Sequence, residues 1–233
     1  MKKSHDKEYL STLIKISKAI TSDLYLEDIL KLIVNLTASV MEAKICALWL
    51  LDEETQKLSI RATQALSQEY RKERAIKVGE GIVGMVVQDK EPVIIKDVSK
   101  DKRYKAKELA EKEGFVSMLS VPMMVKDRVI GAINVYTVMP YEFTRGDVDL
   151  LSAIANQAAV AIEHTELIVK TKVIQEELEN RKKVEKAKGI LMKDQDLSED
   201  EAHQLIRKSS MKKRISMKEI AEAIILSYEI RRN

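Results

Sequence analysis

Between Asp147 and Lys188 the chain runs for 42 residues without a glycine or a proline. Such a stretch is several times the length of an ordinary helix of about 11–12 residues. Its residues are helix formers, and Leu151, Ile154, Ala158, Ala161, Thr165 and Ile168 recur in alternating steps of three and four, the spacing of a coiled-coil seam. Small side chains on that seam permit close helix approach. One long helix is therefore expected to join whatever folds before it to whatever folds after it.

Before the long helix the pattern is mixed. Residues 5–42 read as two amphipathic helices, one with Leu10, Leu13, Ile14, Ser17 and Ile20 on a stripe, the other with Leu26, Ile29, Leu30, Ile33, Leu36 and Val40. Ser22 and Asp23 are the candidate N-caps of the second. "AKICALWLLDEETQKLSIRATQ" then reads as a β-hairpin turning over Asp52–Gln56. Gly79, Gly81 and Gly84 bend the chain into a short apolar helix before the strand "PVIIKDV". "FVSMLSVPMMVKDRVIGAINVYTV" makes two long strands about the turn "KDR", and Pro122 marks a bulge or an edge, because proline cannot donate to a ladder. No internal repeat or low-complexity segment is visible.

After the long helix, two short-range signals stand out. "SEDE" puts Ser198 at an N-cap and Glu201 three residues on, and "SMKE" does the same with Ser216 and Glu219. Each is a capping box, so helices begin near 199 and 217. With the end of the long helix they make a three-helix bundle, its core drawn from Leu191, Ala202, Leu205, Ile206, Ile220, Ile224 and Ile225.

Charge is uneven. Residues 170–233 carry 16 basic and 12 acidic side chains, against 24 and 25 in the first 169. From Ala202 to Lys218 there are six Lys or Arg and no Asp or Glu. Arg207 and Lys208 with Lys212, Lys213 and Arg214 concentrate at one corner of the bundle, and Lys186 and Lys188 on the preceding helix can face it. Such a cluster suits either a polyanion, whose phosphates release counterions on binding, or simple solvation.

Several function classes drop out. The single cysteine, Cys46, lies in an apolar run, so neither a disulfide framework nor a cysteine metal cluster is available. No apolar run is long enough to span a bilayer and the N-terminus lacks a signal-peptide core, which implies a cytoplasmic protein. No P-loop, nucleophile elbow or zinc-protease motif is present, so neither an enzyme nor a resident metal or cofactor is expected.

Over residues 4–168 the succession of elements, and above all "VPMMVKDRVIGAINVYTVMPYEFTRGDVDLLSAIANQAAVAIEHTEL", resembles a GAF domain. The resemblance implies an α+β fold with a six-stranded antiparallel sheet, helices on one face and a small-molecule pocket on the other. Trp49, Phe115, Ser117, Met118 and Tyr136 are the candidate pocket residues. Asn134, Phe143 and Asp147 match the family's cyclic-nucleotide signature, but Val135 and Val148 replace its Lys and Glu, so a cyclic nucleotide is not expected. Haem is disfavoured because His5, His164 and His203 lie outside the pocket strands. The methionine-sulfoxide reductases of this fold exchange disulfides among several cysteines, and one cysteine cannot do so within the chain.

Residues 169–184 then read as a helical linker, and 185–233 resemble the ANTAR domain, an RNA-binding antiterminator module. The matching residues are Ala187, Lys188, Gly189, Leu191, Met192, Ser198, Glu201, Ala202, Arg207, Met211 and Ala221. Asp196 and Ser210 depart from the pattern, which usually has Gly and Ala there. A bacterial regulator follows: a GAF homodimer, held by its first and last helices, whose ANTAR domains bind RNA stem-loops in nascent transcripts. Its RNA-binding candidates are Lys186, Lys188, Arg207, Lys208, Lys212, Lys213 and Arg214. The alternative is a DNA-binding regulator or a dimeric scaffold with a basic docking tail. Against DNA stands the last helix, which is mostly apolar or acidic where a groove reader needs polar and basic residues.

Overall fold

The structure, a computed structural model, describes residues 2–22, 24–65 and 75–232, with side chains from Lys7 to Arg231. The chain forms two compact units, Met1–Thr165 and Glu166–Asn233.

In the first unit, helices α1 (Lys2–Ile20) and α2 (Leu26–Val40) precede strands β1 (Ile45–Asp52), β2 (Lys57–Thr63) and β3 (Ile76–Lys77). Helix α3 (Gly81–Asp89), strand β4 (Val93–Ile95), helix α4 (Lys107–Glu113), and strands β5 (Met118–Val125) and β6 (Arg128–Tyr136) follow, then the start of α5 (Arg145–Gln195). The sheet order is β3-β2-β1-β6-β5-β4 with antiparallel pairing throughout.

Strand β1 shows why the sheet is covered on both sides. Cys46 and Leu48 point into a core built with α1, α2 and α5, whereas Ile45, Ala47 and Trp49 point into a second core under α3 and α4. Both faces being apolar, the strand is a nearly continuous hydrophobic run, and the period of two only assigns sides. Gly84 seats α3 against the β3 strand end, since a Cβ there would lie 2.4 Å from the Lys77 carbonyl oxygen. Pro122 pairs with Ala132, and β4 accompanies β5 only from Met118 to Ser120, so its missing N–H faces an open edge. The bulge lies next to it, between Met123 and Met124.

Three expectations change. The stripe Leu151, Ile154, Ala158 and Ala161 is not a seam for a second helix: all four are buried in the core over the sheet. Periodicity identifies an apolar face but not what covers it. On α1 the buried face is that of Thr12, Ile16 and Ala19, which leaves Leu10 and Ile14 exposed. Finally, α2 starts after Tyr25 with no side-chain cap, because the Ser22 hydroxyl donates to the Ala19 carbonyl (2.7 Å) and so closes α1 instead. Asp23 lies outside the described residues.

The second unit is a three-helix bundle of the end of α5, α6 (Glu199–Lys213) and α7 (Met217–Arg232). Its core is small: Ala187, Leu191, Ala202, Ile206, Ile220 and Ala221, with Ile224, Ile225 and Met217 partly buried around it. Leu205, expected inside, is 39% exposed. Both capping boxes form. The Ser198 hydroxyl accepts from Glu201 N (3.3 Å) while Glu201 Oε2 accepts from Ser198 N (2.9 Å). Ser216 and Glu219 repeat the exchange at 3.2 and 2.8 Å. Asp196 sits at φ 52°, a left-handed conformation that favours glycine. That explains why a glycine suits the turn in the related pattern.

Candidate ligand pocket and nucleic-acid interface

The pocket of the first unit lies on the α3/α4 side of the sheet. Trp49, Met118 and Tyr136 line it, together with Ile60, Ile82, Tyr104, Lys105 and Leu109. Its volume is about 70 Å³. Pockets that hold drug-sized ligands begin at roughly 300 Å³, so this one suits a much smaller, mainly apolar guest.

Two of the five pocket candidates are elsewhere. Phe115 stacks on Tyr136 (centroids 4.5 Å apart, 21° between planes) and supports the wall from behind. Ser117 is fully buried and ties loops together: its hydroxyl donates to the Lys96 carbonyl (2.8 Å) and accepts from Tyr141 N (2.9 Å). Tyr104 and Leu109 were not legible beforehand, because they come from the 100–113 segment, whose packing over the strands is a tertiary matter.

The three signature-like residues have structural partners. Asn134 is buried between Ser120 Oγ (2.6 Å) and Trp49 Nε1 (3.3 Å); with its amide oxygen toward the indole, both neighbours are satisfied. Phe143 belongs to the core, and Asp147 accepts from Thr144 N (2.7 Å) and Thr144 Oγ1 (2.8 Å) at the start of α5. Cys46 is fully buried, and desolvation pushes its thiol well above its ordinary value, the opposite of an activated nucleophile. Neither His164 nor His203 lines the pocket, and the His5 side chain lies outside the described residues.

On the second unit, Arg207, Lys208, Lys212, Lys213 and Arg214 are all exposed. None of the five forms an ion pair among the described residues. They span the last two turns of α6 and its C-cap, where Arg214 takes φ 56°. The two lysines on α5 differ. Lys186 Nζ is 2.9 Å from Glu229 Oε1 on an exposed surface. Lys188 is buried, 6% exposed, and bridges Glu185 (2.9 Å) and Glu199 (2.8 Å). Those hydrogen bonds, to Glu199 first and Glu185 second, raise the Lys188 ammonium above its ordinary value, and Lys188 in turn lowers the Glu199 carboxyl. Lys188 therefore does not join the exposed cations: its charge is spent on tying α5 to α6. The sequence signal for this was Glu199, eleven residues on, visible only once the turn at 196–198 is in place.

A two-faced antiparallel sheet over a small apolar pocket defines a GAF-class fold, followed by a compact helical bundle. The GAF domain family model matches residues 24–163, and the chain belongs to the GAF domain family. The ANTAR domain model matches residues 172–225, so an ANTAR domain follows the GAF domain. Among solved structures the chain is similar to the GAF domain of an Acinetobacter phosphoenolpyruvate-protein phosphotransferase, with 29% identity and a TM-score of 0.61, over 70% of this chain and 97% of that one. It is 24% identical to the Nif-specific regulatory protein of Herbaspirillum seropedicae over 194 residues, 78% of this chain and 36% of that protein. It is 33% identical to the transcriptional regulatory protein PdtaR of Mycobacterium tuberculosis over 90 residues, 39% of this chain and 42% of that protein. The chain spans between 21% and 42% of the length of the curated relatives it matches. Among the described residues no helix is long and apolar enough to cross a membrane.

Proposed function

We propose that this chain is a signal-responsive transcription regulator whose ANTAR domain binds RNA stem-loops in nascent transcripts and prevents termination, under control of its GAF domain. The observation that carries the reading is the set of five exposed cations with no ion-pair partner among the described residues, Arg207, Lys208, Lys212, Lys213 and Arg214, at one corner of the bundle. Unneutralised cations on a folded surface are available to phosphates, and each phosphate contact releases counterions. The names of two relatives, a Nif-specific regulatory protein and a transcriptional regulatory protein, support the regulator class.

Duplex DNA is the weaker partner. The face that α7 exposes carries Glu219, Ala223, Leu226, Glu229 and Ile230, with Arg231 the one exposed cation among its described residues, so it offers a major groove mainly acids and apolar groups. The protein acts as a homodimer in this reading. Exposed Leu10 and Ile14 on α1 and exposed Val160, Leu167, Ile174 and Leu178 on α5 need a cover, and on α5 they fall in heptad steps with His164 and Thr171 between them. A second copy supplies the same stripe. A small apolar guest in the GAF pocket biases that dimer and so the presentation of the two cationic corners.

Competition between hairpin RNA and duplex DNA at several salt concentrations tests this. Arg207→Ala and Lys213→Ala should each weaken hairpin binding and reduce the salt slope by about 1. A preference for DNA, or no loss in either variant, sinks the RNA reading. Sedimentation of Leu167→Lys/Ile174→Lys tests the dimer, which should become a monomer, and native mass spectrometry of the purified protein reads out a retained small molecule.

A further inference from the structure

A groove of the second unit, with a volume of about 320 Å³, lies between the end of α5, α6 and α7. Leu205 on α6 and Ile224 on α7 supply apolar lining, and Tyr228, the only aromatic residue after residue 169, lines the groove one turn beyond Ile224 on α7. The Tyr228 phenol has no hydrogen-bond partner among the described residues. Lys213 and Arg231 stand at the rim. Lys213 belongs to the exposed cation cluster, while Arg231 Nη2 donates to Ser227 Oγ (3.2 Å) and keeps its remaining donors for a guest. Asp194, from the last turn of α5, adds a carboxylate that is in no ion pair among the described residues.

We infer that this groove receives the base of one unstacked nucleotide from an RNA loop, with the base against Leu205, Ile224 and Tyr228 and its flanking phosphate on Lys213 and Arg231. The inference rests on the RNA reading above and adds to it the site where a loop is read. A planar apolar face with a polar edge and an adjacent anion is what this lining complements. Loop nucleotides, unlike those in a stem, can be splayed out to present all three. Cations at the rim distinguish the groove from an apolar seam awaiting a second protein copy. Continuity with the Arg207–Arg214 corner places the groove where a bound stem would end. The lone tyrosine thus serves as a single stacking platform, whereas sequence-tolerant single-strand readers use several in succession. Asp194 only accepts hydrogen bonds when ionised, so it favours a base edge that donates.

The test uses the full-length protein and one hairpin RNA selected by it from a randomised-loop pool, together with copies made abasic at each loop position in turn. Ala223 lines the groove and is exposed, so Ala223→Trp plugs it from the solvent side without entering the core. One abasic position should weaken wild-type binding about tenfold, the worth of one stacked base. Ala223→Trp should weaken the intact hairpin by the same factor and leave the hairpin abasic at that position unaffected. Lys208→Ala should weaken both hairpins equally, and melting temperature should stay at the wild-type value for Ala223→Trp. Equal losses for intact and abasic hairpins, wild-type affinity in Ala223→Trp, or a change in oligomeric state without a change in RNA affinity would each overturn the groove assignment while leaving hairpin binding intact. Failure of the wild-type protein to select any hairpin overturns both readings at once.

Discussion

The two units reach a defined fold by different routes. The GAF domain buries two cores, one on each side of its sheet, and most strand residues contribute to one or the other. Among the described residues the core cluster of the ANTAR domain has six buried members, three of them alanines. What it lacks in apolar burial it supplements with two capping boxes and a lysine buried between two glutamates. A large core tolerates loss of one polar contact, whereas a small bundle depends on several of them.

That contrast can be broken most directly in the smaller core. Ile206→Ala removes a fully buried side chain and should cost about 3 kcal/mol, enough to unfold the second unit while the GAF domain keeps its protection. Hydrogen exchange resolved by segment reads this, and simultaneous loss of protection in both units would refute it. Gly131→Ala is the counterpart in the sheet: its Cβ would lie 2.0 Å from the Trp49 carbonyl oxygen, so β1 and β6 must part. The expected cost is about 2 kcal/mol, read as a lower denaturant midpoint of the first unit alone.

Smaller effects sharpen the comparison. Ser198→Ala and Ser216→Ala should each cost about 1 kcal/mol, visible as earlier thermal loss of helicity in the second unit. At Lys188 the substitution chosen decides the outcome. Lys188→Ala leaves a void and two unpaired carboxylates and should lower the melting temperature, Lys188→Met should restore most of the loss by filling the site, and Lys186→Ala should change little. The mildest probe is acid. Glu199, Glu201 and Glu219 are all held below the ordinary carboxylate range in the folded state, by Lys188, by the Ser198 hydroxyl and by the Ser216 N–H respectively. Their contribution is present above the unfolded value of about 4.3 and is lost as pH falls through the folded values. A melting series from pH 6 downward should therefore show the second unit weakening, and Glu201→Gln should flatten its dependence.

How much of this was legible beforehand follows the range of the interactions. The capping boxes, the hairpin over Asp52–Gln56 and the long helix were readable because each is encoded within a few residues or by simple periodicity. The partner of an apolar stripe was not: Leu151, Ile154, Ala158 and Ala161 have coiled-coil spacing, yet the sheet covers them. Lys188 looked like one more cation of a basic tail, because its second carboxylate lies across a turn on another helix. Trp49, Met118 and Tyr136 were readable as pocket residues from their strands, whereas Tyr104 and Leu109 come from a segment with little periodic pattern.

The cations of the ANTAR corner have a further consequence. Lys212 and Lys213 lie in the last turn of α6, and Arg214 caps it, so they stand at the negative end of that helix's dipole and stabilise it before any ligand arrives. A phosphate that binds them also offsets that favourable interaction. Substitutions at Lys212 and Lys213 should therefore register in both melting and binding, while Arg207 and Lys208, about a turn further in, report on the ligand more purely. Read across all five positions, the ratio of those two responses maps where the helix stops using its charges and the partner begins.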